Sequence, residues 1–207
     1  MNTSKVTKYE SALRANQSRM TRERILDGVR VLFERDPQAA FSVDEVSEVS
    51  GVNRRTIFRH FPTKDALLQE FWSRTNASLG VRFWPESIGD LTMMLPDLFT
   101  ALDGIEAIVR ASHASGAGYE MRLKANDERV AAFRSSLKPL TERLDAQRAR
   151  QLEAVVQLLF SATAWMTMKD YWGLNGREAG EAAAWAIGAL LKAADEEAKG
   201  VMQRTKQ

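Results

Sequence analysis

The chain has 207 residues, 44% hydrophobic and 27% charged, a balance that allows a sizeable core and excludes wholesale disorder. It has no cysteine, which excludes disulfides, thiolate metal sites and a cysteine redox sensor. Net charge is only +2, but residues 1–65 carry 12 Lys and Arg against 9 Asp and Glu, whereas the remainder carries 17 against 18. A basic excess at one end suits contact with nucleic acid.

The first twenty residues are polar and basic and lack an apolar signal core. The longest apolar stretches, at 154–168 and 182–191, are shorter than the roughly 20 residues of a membrane span. A soluble cytoplasmic protein is expected. Residues 1–20 read as a basic arm bearing Lys5, Lys8, Arg14 and Arg19. Such an arm either reaches an adjacent minor groove or is a solvated tail, and "TKYE" (7–10) offers it a capping box.

Nearly everything else reads as helix. Ile25, Val29, Leu32 and Phe33 set a helical apolar face from about Thr21 to Arg35, which Asp36-Pro37 ends. "FSVDEV" announces a second helix: Ser42 and Glu45 form a capping box, and Phe41 can staple onto Val46. Gly51 suits the left-handed position that stops this helix, Asn53 caps a third, and Thr63 caps a fourth. Further helices are expected near 64–79, 88–101, 104–115, 126–144, 148–172 and 177–199, with starts at "SIGD", "DGIE" and "NGRE". Pro96 and Pro139 should kink or split two of them, and "SGAG" (115–118) reads as a loop.

The segment "SGVNRRTIFRHF" (50–61) mixes three arginines and a histidine with large apolar residues and holds no acid. At about 100° per residue, Ile57 and Phe61 share one side of a helix, and Arg55 and Arg59 share the opposite side. Val46, Val52, Ile57 and Phe61 are assigned to core. Two helices joined by a short Gly-containing turn form a helix-turn-helix, whose second helix enters the DNA major groove. Arginine suits that helix because its planar fork bonds guanine O6/N7 or clamps phosphate.

The stretch "SVDEVSEVSGVNRRTIFRHFPTKDALLQEF" (42–71) resembles the DNA-binding region of TetR-family transcriptional regulators. The likeness covers about 50 residues and implies an all-α protein: an N-terminal three-helix helix-turn-helix domain (21–69), then a larger helical ligand-binding and dimerisation domain (70–207). It implies that Thr56 and Phe58 hold the Thr and Tyr places of the reading helix, His60-Phe61 its His/Tyr-Phe pair, and Lys64 its phosphate-contacting lysine. Arg54 and Arg55 fall at sites that set operator preference, and Arg59 and Ser42 complete the DNA-facing set. Phe58 lacks the usual tyrosine hydroxyl, and Ser47 stands where Ala is commoner.

The second part holds all five tryptophans and most of the methionines, chiefly core by spacing. The resemblance implies a cavity for a small, apolar or aromatic effector. Candidate lining residues are Phe99, His113, Tyr119, Met121, Trp165 and Met168, with Arg110 and His113 as an anion-binding edge. The segment 154–168 is apolar nearly all round, and 179–191 is rich in Ala and Gly that permit close helix approach. A homodimer is therefore expected through Val156, Leu159, Thr163, Trp185 and Ala189.

Two histidines, no HExxH, no phosphate-binding glycine loop and no nucleophile–base constellation leave no chemistry for an enzyme, and no cofactor or metal is expected. The leading expectation is a dimeric repressor on an inverted-repeat operator, released by an effector. The alternative is a helical protein- or small-molecule-binding module that does not bind DNA.

Overall fold

The computed structural model describes residues 3–36, 41–78 and 80–204. Among them are twelve helices and no strand. The first four are α1 (Thr3–Arg35), α2 (Val43–Ser50), α3 (Arg54–His60) and α4 (Lys64–Ser78). Then come α5 (Asp90–Met93), α6 (Leu95–Asp103), α7 (Glu106–Ala114), α8 (Gly116–Lys124) and α9 (Asn126–Thr141). The last three are α10 (Ala146–Leu159), α11 (Ala162–Trp172) and α12 (Gly176–Arg204). The chain divides into two compact units, one of residues 1–78 with 107–121, the other of 79–106 with 122–207.

The core of the first unit is built from the helical faces read in the sequence. Ile25, Leu26, Val29 and Phe33 of α1 are buried with Val46, Val52, Ile57, Phe61 and, from α4, Leu67, Leu68, Phe71 and Trp72. Leu32 is only half-buried. Phe33 is the hub: Phe41 lies edge-on at 5.2 Å, Phe71 at 5.4 Å and Trp72 at 5.3 Å. Each such ring contributes about 1.5–3 kcal/mol when fully buried. Arg74 of α4 bridges Glu23 and Asp27 of α1, the latter at 2.6 Å, and fixes the two helices side by side.

One expectation changes here. The basic arm is helical from Thr3, so Thr7–Glu10 lies inside α1 and not at its start. The helix ends at Arg35, with the Asp36 N–H bonded to the Leu32 carbonyl at 3.1 Å, and Pro37 lies outside the described residues.

In the second unit α12 packs most extensively on α6. Ala179, Ala183, Ile187, Ala194 and Ala198 form the buried side of α12. A Cβ on Gly180 would stand 2.6 Å from the Leu95 carbonyl oxygen and 2.6 Å from the Pro96 Cα. The small residues of this stretch thus serve a contact within the chain. Phe133 of α9 meets Phe160 edge-on at 5.4 Å, and the Ser136 hydroxyl donates to the Pro85 carbonyl at 3.0 Å.

The expected helix over 148–172 is two helices. Ser161 breaks it: its hydroxyl donates to the Leu158 carbonyl at 2.6 Å and accepts from the Ala164 N–H at 3.3 Å, competing with the backbone ladder. The Gly-rich 115–118 is not a loop, because the Ser115 hydroxyl accepts from the Gly118 N–H at 3.1 Å and starts α8. Pro96 does split its segment, standing in the first turn of α6. Pro139 leaves α9 continuous to Thr141. "NGRE" starts α12 by reciprocal bonds between Asn175 and Glu178, of 2.9 and 3.0 Å.

"DGIE" starts no helix through its aspartate. The Asp103 carboxylate instead accepts from Trp165 Nε1 at 3.0 Å, Lys169 Nζ at 3.0 Å and the Gly176 N–H at 2.7 Å. It therefore joins the end of α6 to α11 and to the first turn of α12. Burial works to raise its pKa, but the Gly176, Lys169 and Trp165 bonds outweigh that and hold it below the usual carboxylate range.

Candidate nucleic-acid interface

The geometry begins at the cap of α2. The Ser42 N–H donates to Glu45 Oε2 at 2.7 Å, and the Glu45 N–H donates back to Ser42 Oγ at 3.2 Å. Gly51 ends α2 at φ +64°, a conformation that a side chain would strain. From α1, Arg24 Nη2 reaches the Ser50 carbonyl at 3.1 Å, satisfying an acceptor left over at the helix end. Val52 is buried, and the next residue, Asn53, accepts the Arg55 N–H on its Oδ1 at 2.8 Å to start α3.

α3 is then locked from inside. Ile57 and Phe61 are 1% and 2% exposed. Arg22 of α1 lies 4.5 Å from the Phe61 ring centroid, donates to the His60 carbonyl at 3.1 Å, and pairs with Glu70 of α4 at 3.3 Å. A helix of seven residues is too short to stand alone, so these contacts from α1 and α4 fix its direction.

The expected DNA-facing residues divide into three groups. Arg55 and Arg59 are exposed and carry no ion-pair partner among the described residues, and Phe58, between them in the sequence, is exposed by 36%. Arg54 is exposed but held: its Nη1 lies 2.6 Å from Asp44 of α2, and its guanidinium rests 5.4 Å from the Phe58 centroid. The remainder are bonded within the unit or half-buried. Lys64 donates to the Phe41 carbonyl and stacks 4.6 Å over the Phe41 ring. Ser42 is committed to its cap, and Thr56 is half-buried.

His60 is half-buried, and its Nε2 is enclosed with no hydrogen-bond partner among the described residues. Burial first, then the nearby Arg59 and Arg22 charges, push its pKa below the ordinary histidine value.

Residues 25–71 match the family model for bacterial regulatory proteins of the tetR family. This region is a tetR-family DNA-binding region. Its α2, Gly51 turn and α3 are the helix-turn-helix, with α1 and α4 as its support. Two similar curated proteins are uncharacterized HTH-type transcriptional regulators from two strains of Mycobacterium tuberculosis. Each is 33% identical over 69 residues, which is 33% of this chain and 34% of theirs. The match spans about a third of the length of these relatives.

Sequence reasoning missed three residues of the tetR-type region that organise its reading helix: Arg22, Arg24 and Asp44. Their partners lie 38, 26 and 10 residues away, so no local pattern marks them.

The expected effector residues are divided between the two units. Arg110, His113, Tyr119 and Met121 belong to the first unit, and Phe99, Trp165 and Met168 to the second. Phe99 and Trp165 are wholly buried, and Trp165 serves Asp103. His113 Nδ1 lies 3.0 Å from the Val109 carbonyl one turn back, and Tyr119 is 56% exposed. A surface groove of about 560 Å³ on α10 is lined by Ala146, Gln147, Arg150, Gln151 and Ala154, none of them expected.

Of the expected dimer residues, Val156 is fully buried in its own unit and belongs to the core, not to a surface offered to a partner. Leu159 is half-buried, whereas Thr163, Trp185 and Ala189 are exposed. No group of three or more metal-ligating side chains occurs among the described residues, and no described helix is long and apolar enough to cross a membrane.

Proposed function

We propose that this protein is a transcriptional regulator that binds an inverted-repeat operator as a homodimer, represses there, and is released by a small, largely apolar effector. One observation carries the DNA-binding part: a doubly capped α3 with its apolar side locked and the unpaired guanidinium groups of Arg55 and Arg59 on the other. Two exposed cations one helical turn apart suit an anionic partner such as the phosphates and guanine edges of DNA. The family match at 25–71 supports the same reading. A dimer is supported by the exposed aromatics Tyr171, Trp172 and Trp185 of the second unit. Two such subunits set their reading helices roughly 34–36 Å apart, one DNA turn. The effector reading rests on the aromatic- and Met-rich composition of the second part, with Met168 and Met121 as its half-buried candidates.

Selection from a random duplex pool at moderate salt tests this reading. It expects an enriched inverted repeat. Arg55→Ala and Arg59→Ala should each weaken binding to that repeat by about 1–3 kcal/mol while leaving thermal stability unchanged. Absence of any enriched sequence, or full affinity in both variants, refutes it.

A further inference from the structure

α1 does not stop at the edge of the helix-turn-helix core. From Ile25 on it is packed, with Ile25, Leu26, Val29 and Phe33 buried; ahead of that stretch it continues as helix back to Thr3. Residues 13–20 are exposed without exception, Leu13 by 47% and Met20 by 58%. The rod from Thr3 to Met20 carries Lys5, Lys8, Arg14 and Arg19 against the single acid Glu10, and no acid occurs from Ser11 to Arg22. Isolated helices of this length are marginal in water without a packing partner, so the segment is suited to a surface that offers negative charge.

Its point of departure locates that surface. Arg22, just past the rod, donates to the carbonyl of His60, the last residue of α3. Arg19 lies one helical turn before Arg22. The rod thus starts beside the end of the reading helix, and both belong to the first unit.

We infer that the α1 extension is a second DNA contact, lying along the phosphate backbone that flanks the half-site read by α3. This inference rests on the DNA-binding reading above. Eighteen residues of α-helix span about 27 Å, the length of about 8 base pairs. An α-helix is about 10–12 Å across and the minor groove about 6 Å wide, so the rod contacts the backbone and does not thread the groove. Phosphate contacts carry no sequence information, so the extension adds affinity and footprint without changing the preferred operator.

The test uses the full chain with Lys5→Gln, Lys8→Gln, Arg14→Gln and Arg19→Gln combined, glutamine being as good a helix former as the residues replaced. The probes are the selected inverted repeat with and without about 10 flanking base pairs, and a random-sequence duplex. Each lost phosphate contact lowers the slope of log K against log salt by about 0.9, so a drop of about 2–4 is expected. Affinity for the flanked repeat and for random duplex should fall by the same factor, about tenfold or more, and the wild-type advantage of flanked over unflanked DNA should vanish.

Ser18→Lys, at an exposed position of the rod, should instead steepen the slope by about 0.9. A wild-type slope and an intact flank advantage in the fourfold variant overturn the inference and leave the DNA-binding reading standing. If the wild-type chain binds none of the duplexes, both fail.

Discussion

His60 closes the reading helix with an imidazole whose Nε2 is enclosed and unpaired among the described residues. Its environment favours the neutral ring: burial opposes a charge there, and Arg59 and Arg22 repel one. The folded pKa is thus below the unfolded one, near 6.5. On acidification the unfolded chain takes up the proton first, so stability contributed by the neutral ring is full above about pH 7 and lost as pH falls below about 6.5. Urea midpoints of wild type should therefore decline between pH 7 and pH 5, and His60→Phe should flatten that decline. An equal slope in the variant would place the titration elsewhere. At this scale the exposure of Arg55 and Arg59 was legible in their spacing, whereas the contact of Lys64 with Phe41, 23 residues away, was not.

Elements are specified to very different degrees. α2 and α3 were legible because their signals are local: Ser42 with Glu45, Gly51, and Asn53 act within three residues of the backbone they cap. In the second unit the decisive contacts are distant, and Asp103 reaches partners 62 to 73 residues away, which no periodicity encodes. The rod of α1 was only partly legible: "TKYE" offered a capping box, but those residues lie inside α1 and not at its start.

The packing of α12 gives an opposed pair of expectations. Gly180→Ala puts a methyl into the backbone of α6 at Leu95 and Pro96, and should destabilise by about 1–3 kcal/mol in urea unfolding. Gly200→Ala meets nothing within 4 Å and should stabilise by about 0.5 kcal/mol through helix propensity. Equal effects at the two sites would show that α12 is free to shift on α6. Asp103→Ala leaves Trp165, Lys169 and the first turn of α12 without their shared acceptor, at a cost of about 2 kcal/mol. Since the Asp103 pKa is lowered, its contribution is present above the unfolded carboxylate range and disappears as pH falls below about 4. The variant and wild type should converge in stability there.

For the whole molecule, the proposed homodimer requires a face of the second unit that can meet a partner. The buried side of α12 is already used, with Ala179, Ala183 and Ile187 against the chain's own core. Trp185 stands two residues from Ala183 and from Ile187, about 200° around the helix, and is 78% exposed with Ala189 one turn on. Arg177 and Glu181, paired at 3.2 Å, extend the same stripe toward the start of the helix. A large indole left in water forfeits most of the burial that a ring of its size gains, and a partner surface would recover it. Trp185→Glu should therefore convert a dimer to a monomer at micromolar concentration in sedimentation velocity, with the helical content retained because the side chain is 78% exposed in its own chain. On DNA the variant should keep its affinity for a single half-site and lose the tight binding to the inverted repeat, since only a dimer couples two reading helices. A variant that still sediments as a dimer would remove this face from consideration.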